Sequence, residues 1–246
     1  MTSIHRAVLR CVGLVLAVVL TGCATGPDAH PKDPLEPWNR GVYRLNDAID
    51  TAVLKPVATT YTAITPDPVR KGVGNFFNNI RDVWSAANAA LQLRPQEAME
   101  NLFRVGVNTF FGLGGVLDVA TEMGIPRTRM DFGQTLGRWG VPAGPYLVLP
   151  LLGPSTLRDA SGTAVQFRAN DYTEFDDEAV RNSLTALEVV DTRAGLLRAG
   201  TLLDEAAIDK YSFVRDFYLQ RRQNQIDDFI EQGIGVRDPA PMPNTD

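Results

Sequence analysis

The chain has 246 residues, of which 44% are apolar, and a formal net charge of −5. That is an ordinary folded composition, long enough for one substantial domain or two small ones. Its acidic balance argues against nucleic acid, which wants a basic face, and against holding an anionic lipid surface by charge alone. Cysteine occurs only at Cys11 and Cys23 and histidine only at His5 and His30. The body therefore has no Ser-His-Asp triad, no Cys-His nucleophile and no usual zinc set; no catalytic site, metal or cofactor is expected in it.

In chain order, His5, Arg6 and Arg10 give a basic start to a short apolar stretch ending at Leu20. This reads as a signal peptide over residues 1–22, too short for a comfortable transmembrane helix. Leu20-Thr21-Gly22-Cys23 closes it in a lipobox pattern, with small residues before a thiol that can accept diacylglycerol. Cleavage before Cys23 then leaves a lipid-anchored amino terminus. The residue after that cysteine is Ala24, not the aspartate that retains many Gram-negative lipoproteins at the inner membrane. By the sorting rule of lipoproteins as a class, this favours the outer membrane, facing the periplasm. Pro27, Pro31, Pro34 and Pro37 mark residues 23–37 as a flexible tether.

From Trp38 the pattern is helical, with Trp38, Val42, Leu45 and Ile49 recurring at helical spacing. Lys55-Pro56 is expected to break the run, with a further short helix reaching Ile64. Pro66 and Pro68 open a longer helix whose one face carries Val69, Val73, Phe76, Phe77, Ile80 and Trp84 and whose other side carries Asn75, Asn78, Asn79, Arg81 and Asp82. Pro95 starts another, with Met99, Leu102, Phe103, Val107 and Phe110 in register. The glycines between Gly112 and Gly115 lack the spacing of a phosphate loop and predict a bend or a close helix approach. Asp131-Phe132-Gly133 has none of the companion motifs of a kinase metal site and is read as coincidence.

The stretch from Trp139 to Leu157 carries no charge and contains Pro142, Pro145, Pro150 and Pro154 with Gly140, Gly144 and Gly153. Four evenly placed prolines exclude a membrane-spanning helix. What remains is an irregular apolar hairpin, either buried in a core or facing lipid. Helical patterning resumes with Ala179, Val180, Leu184, Leu187 and Val190, then Ile208, Tyr211, Val214 and Tyr218. Residues 233–246 are expected to be a disordered tail. Strand-like alternation is scarce, so a membrane β-barrel is disfavoured and the fold class is mainly α over residues 38–232.

An ordered set of short motifs resembles the MlaA/VacJ family of outer-membrane phospholipid-transport lipoproteins. It includes Asp33-Pro34-Leu35-Glu36-Pro37-Trp38-Asn39-Arg40, Gly74-Asn75-Phe76-Phe77-Asn78-Asn79-Ile80, Asp131-Phe132-Gly133-Gln134-Thr135-Leu136, Gly144-Pro145-Tyr146, Gly153-Pro154-Ser155 and Arg215-Asp216-Phe217-Tyr218-Leu219-Gln220-Arg221. Each is weak alone, but in sequence they span about residues 33 to 233. The resemblance implies a ring-like bundle of amphipathic helices embedded in the inner leaflet of the outer membrane around a central channel. Through it, phospholipid misplaced in the outer leaflet would leave toward a soluble periplasmic lipid carrier. A trimeric porin is the implied neighbour.

The charge-free stretch matches the family's hairpin beside the channel, which makes Gly140, Gly144, Pro145, Tyr146, Leu147 and Leu149 the candidate channel and hairpin residues. Pro142 stands where some members carry glycine and should stiffen that side, so flexibility rests on Gly140 and Gly144. Arg138, Arg158 and Asp159 border the hairpin and are candidate headgroup contacts, with mutual pairing or surface solvation as the alternative. A channel without bond-breaking chemistry leads. A structural lipoprotein scaffolding porin or envelope complexes is the alternative, and a lipid hydrolase using carboxylates ranks last because no paired carboxylates sit in a recognisable setting.

Overall fold

The computed structural model describes residues 30–168 and 177–234. The signal peptide, the lipidation site Cys23 and the tail beyond Ile234 lie outside the described residues. The chain is mainly helical. In order it forms α1 (Glu36–Ile49), a π-helical turn (Asp50–Leu54), α2 (Lys55–Ile64), α3 (Asp67–Leu91), α4 (Pro95–Phe110), α5 (Val119–Glu122) and α6 (Phe132–Arg138). A two-stranded antiparallel sheet follows, β1 (Tyr146–Leu149) and β2 (Gly153–Thr156), then α7 (Leu157–Arg168), α8 (Glu178–Gly195), α9 (Leu197–Ala206) and α10 (Lys210–Ile234).

Local chemistry sets most of these boundaries. Pro37, Pro56, Pro68 and Pro95 sit in first turns, where a missing N–H loses no helical hydrogen bond. Asp118, Asp131 and Asp177 cap α5, α6 and α8, each carboxylate accepting from a backbone N–H of the first turn. Pro56, however, does not end the first helix. A proline ring collides with the carbonyl four residues back, and the chain escapes by widening into the π turn. The Lys55 N–H donates to the Asp50 carbonyl, and α1 passes into α2 without a gap.

The α3–α4 hairpin and what packs on it show an unusual distribution of polarity. Arg104 of α4 is completely buried. It donates to Asp82 Oδ2 (3.3 Å), the Ile125 carbonyl (2.6 Å), Asp118 Oδ1 (2.7 Å) and Thr121 Oγ1 (3.1 Å). One guanidinium thus ties α3, α4 and the 118–125 segment together. Nearby, Gln92 Nε2 donates to Thr135 Oγ1, which donates to Asn88 Oδ1. Asn101 and Asn108 are buried as well. Phe77 and Val107 are buried, but many large apolar side chains of the second helix and its end are outside: Met99, Leu102, Phe103, Phe110 and Phe111 are each more than half exposed. A protein built for water on every side places these groups the other way round. Among the described residues no helix is long and apolar enough to cross a membrane.

The glycines at 112–115 make the bend that spacing predicts. A Cβ on Gly112 would lie 2.2 Å from the Leu117 carbonyl and one on Gly115 would lie 2.7 Å from the Asn79 side chain. Part of the expected tether is built into the body. Asp33 is completely buried, and the Lys32 carbonyl accepts from the Tyr146 N–H at 2.8 Å.

Candidate lipid-handling site

Within the charge-free stretch, residues 146–156 pair as an antiparallel β-hairpin, while 141–145 form no regular element, so the expected irregular hairpin is regular only in its paired part. Tyr146 pairs with Thr156, Leu147 with Ser155, Val148 with Pro154 and Leu149 with Gly153. Period-two geometry sends Tyr146 and Val148 into a small apolar cluster with Val42 and Tyr211, and leaves Leu147 and Leu149 half-buried on the other face. The tip, Leu151 and Leu152, is strongly exposed, and so are the two ends of the stretch at Trp139 and Leu157. The stretch is therefore buried in its strand residues Tyr146, Val148, Ser155 and Thr156 and exposed at its tip and ends.

Helix α1 holds β1 as a third strand would. Asn39 Nδ2 donates to the Tyr146 carbonyl (3.0 Å), while Asn39 Oδ1 accepts from the Val148 N–H (2.9 Å). Two turns along the same helix face, Asn46 Nδ2 donates to the Leu149 carbonyl and Asn46 Oδ1 accepts from the Leu151 N–H, both at 2.9 Å. A primary amide presents one acceptor and a donor side by side, so each asparagine mimics a strand's peptide group. Asn39 is fixed in turn by Asp33, whose other oxygen accepts from the Tyr211 hydroxyl at 2.5 Å. Pro145 accepts, through its carbonyl, from the Leu157 N–H, and the Ala143 carbonyl accepts from the Arg158 N–H. Gly140 and Gly144 flank this closed base with φ of 87° and 69°, a backbone region open to glycine at no steric cost.

Below the hairpin stands a buried ionic post. Arg222 of α10 holds both oxygens of Asp131 at 2.6 Å and reaches Asp159 Oδ2 at 3.0 Å. Asp159 also accepts from the Tyr218 hydroxyl at 2.7 Å and from Arg158 Nε at 3.0 Å. Burial opposes ionisation of Asp159, but the hydrogen bond and charge of Arg222, with Tyr218 and Arg158, more than offset it and hold its pKa below the usual carboxylate value. Asp131-Phe132-Gly133 finds its meaning here. Asp131 caps α6 and receives Arg222, while Gly133 makes room: a Cβ there would meet Asp159 Oδ1 at 2.5 Å, and one on Gly162 of α7 would meet the Gly133 nitrogen at 2.6 Å.

Two cavities meet at this post. One, of about 300 Å³, lies between α3, α6, α7 and α10; its wall includes Arg81, Trp84, Arg129, Gln166, Arg221 and Arg222. The other, of about 270 Å³, lies under the hairpin and is lined by Leu149, Leu152, Pro154, Ser155, Asp159 and their neighbours. Asp131, Gln166, Tyr218 and Arg222 belong to both walls. A third, almost wholly apolar groove of about 430 Å³ runs between α3 and α8 past Val69, Val73, Phe76, Leu184 and Leu187.

Of the residues that sequence marks as site candidates, Leu149 lines the hairpin cavity and Leu147 stands half-buried beside it in the strand. Arg158 and Asp159 are buried against each other in the post. Arg138 donates from Nε to the Gln92 carbonyl at 2.8 Å, beside Trp139, whose indole donates to the Leu91 carbonyl; both satisfy the end of α3. Sequence reasoning did not single out Arg222, Arg129 and Arg221, nor the matched pair Asn39 and Asn46. The seven-residue repeat of asparagine on α1 was the one readable signal.

A family profile described as MlaA lipoprotein matches residues 31–225. The intermembrane phospholipid transport system lipoprotein of Escherichia coli is 35% identical over 245 residues, covering 96% of this chain and 94% of that protein. The protein of the same description from Haemophilus influenzae is 34% identical, covering 87% of this chain and 89% of its own length. A solved structure described as the structural basis for maintenance of bacterial outer membrane lipid asymmetry has a TM-score of 0.69 at 34% identity, covering 79% of this chain and 98% of that one.

Proposed function

The chain belongs to the MlaA lipoprotein family, and on that premise we propose that it is an outer-membrane lipoprotein that removes mislocalised phospholipid from the outer leaflet and hands it to a soluble periplasmic carrier, maintaining lipid asymmetry. One observation supports this reading: many large apolar side chains are exposed, while much of the buried interior is polar or charged. Amphipathic helices embedded in one leaflet would bury those apolar side chains in hydrocarbon, each contributing about 1.5–3 kcal/mol on full burial. The polar cavities around Arg222 would then be a hospitable place for a headgroup at that depth, since an unpaired charge near a bilayer centre costs about 2.5–3.5 kcal/mol on insertion scales.

In this reading the hairpin cavity and the arginine-lined cavity form successive parts of one passage, separated by the Asp131–Arg222–Asp159 post. Opening involves the hairpin turning about Gly140 and Gly144, which breaks the Asn46 pair at the tip before the Asn39 pair at the root. Arg158, Asp159 and Arg138 position the wall. Transfer of intact lipid requires no bond cleavage. Lipid on Cys23 provides delivery to the membrane, and the embedded apolar side chains provide a second attachment.

The test is outer-leaflet phospholipid in a deletion strain before and after complementation. Accumulation that the intact gene reverses is expected; no accumulation would sink the reading. The same exposed apolar side chains also fit the outer wall of a trimeric porin, so a scaffold role is the competing reading. Co-purification with porin combined with normal lipid asymmetry in the deletion strain would select it.

A further inference from the structure

The arginine-lined cavity gathers Arg81, Arg129 and Arg221 beside Arg222, and its wall holds two buried polar atoms without a partner, the Trp84 indole N–H and Gln134 Oε1. Arg81 of α3 and Arg129, in the segment before α6, both donate to the same neutral oxygen, Asn78 Oδ1, at 3.3 Å and 2.9 Å. Two guanidinium groups are thus drawn to one amide, an arrangement that like charges resist unless an anion joins them. Arg81 has Glu188 at 2.6 Å. Arg129 and Arg221 have no carboxylate within ion-pair distance among the described residues, although both line the cavity. The carboxylate that lines this wall, Asp131, is occupied by Arg222. The Trp84 indole N–H, in the same wall, is buried and lacks an acceptor. Burial, followed by the like charges of Arg81 and Arg127, holds the Arg129 guanidinium below its usual pKa.

We propose that Arg81, Arg129 and Arg221, with the Trp84 indole, form a phosphate site that holds the phosphodiester of a phospholipid headgroup within the cavity. The inference rests on the transport reading and adds to it the group that is recognised and the side chains that recognise it. Planar guanidinium groups suit phosphate oxygens, which they grip with paired, charge-assisted hydrogen bonds. The indole supplies a further donor. The site reads the phosphate that all glycerophospholipids share and makes no demand on the group beyond it. Arg129 and Arg221 are exposed, but they line the same cavity as a buried unpartnered donor, the Trp84 indole. A lipid phosphodiester and free inorganic phosphate offer the same chemistry, and the many exposed large apolar side chains of the protein favour the lipid.

The full mature lipoprotein in non-ionic detergent would be titrated with short-chain phosphatidylglycerol, with the matching diacylglycerol that lacks phosphate, and with inorganic phosphate. Phosphorus NMR linewidths and Trp84 fluorescence would report binding. The phosphodiester should bind, the diacylglycerol should bind at least tenfold more weakly, and inorganic phosphate should compete only at much higher concentration. Arg129→Gln and Arg221→Gln should each weaken phosphatidylglycerol about tenfold, as expected for removing one charge-assisted pair. Arg129→Lys should recover part of the loss, and Arg198→Gln on the exposed face of α9 should leave binding unchanged.

Equal binding by wild type and the Arg129→Gln/Arg221→Gln double variant, both folded by circular dichroism, overturns the site. Inorganic phosphate binding as tightly as the lipid overturns the lipid assignment. A deletion strain that accumulates outer-leaflet phospholipid and is fully rescued by the double variant overturns the site while leaving transport intact. A deletion strain without accumulation overturns the transport reading whatever the titration gives.

Discussion

Replacing Asn39 with leucine tests whether the hairpin is mounted on α1 through side-chain amides. Leucine keeps the number and branching of side-chain heavy atoms, is bulkier through its methyl groups, and removes both polar atoms. Three hydrogen bonds disappear: to Asp33 Oδ1, to the Tyr146 carbonyl and from the Val148 N–H. Asn39, Asp33 and Tyr146 are all completely buried, so water cannot take over these contacts without opening the structure. Losing the bonds and stranding two buried backbone groups should together cost about 3–5 kcal/mol. Asn46→Ala, made at the hairpin's tip where Leu151 is exposed, should cost only about 1 kcal/mol, because solvent replaces the amide.

Amide hydrogen exchange on the detergent-solubilised protein separates the two. Asn39→Leu should speed exchange at the Val148 amide at least a hundredfold, at about 1.4 kcal/mol per tenfold. Asn46→Ala should release the Leu151 amide and leave Val148 protected. If Val148 exchanges no faster in Asn39→Leu than in wild type, α1 does not hold the strand and the account of the mount is wrong.

Arg104→Met leaves Asp82 and Asp118 with Arg127 as their remaining cation; it should destabilise the fold by about 3–5 kcal/mol, read as a lower urea midpoint, and Arg104→Lys should not rescue it because an ammonium cannot span four acceptors. For pH, the folded pKa of Asp159 lies below its unfolded value. Its stabilisation is therefore present above about pH 3.9 and is lost as the pH falls through the folded value. Asp159→Asn should flatten the acid limb of stability against pH below about 4, and an unchanged limb would exclude this carboxylate. Leu149→Asp places a charge in the wall of the hairpin cavity; it should raise outer-leaflet phospholipid while export and membrane level stay normal, and wild-type behaviour would remove Leu149 from the passage.

Much of the secondary structure was legible because its causes are local. Proline at first turns and helical spacing of apolar residues act within a few positions, and they placed α1, α3, α4 and α10 before any contact was known. Pro56 misled for the same reason: a local rule predicts a break, and the π turn that avoids it depends on α1 and α2 being held as one helix. The hairpin's composition was readable too, but its strand pairing was not, since four prolines and three glycines carry no period-two pattern. The first strand is held in place by Asn39 and Asn46, more than a hundred residues away from the groups they hold.

Periodicity found an apolar stripe on each helix without saying which way it turns. Only the tertiary structure shows Phe103 and Phe110 outside and Arg104 and Asn108 inside, neighbours on one helix sent to opposite environments. The reason is physical. A stripe on a helix reports a boundary between polar and apolar surroundings, and the amino acids alone do not say which side of that boundary is the solvent.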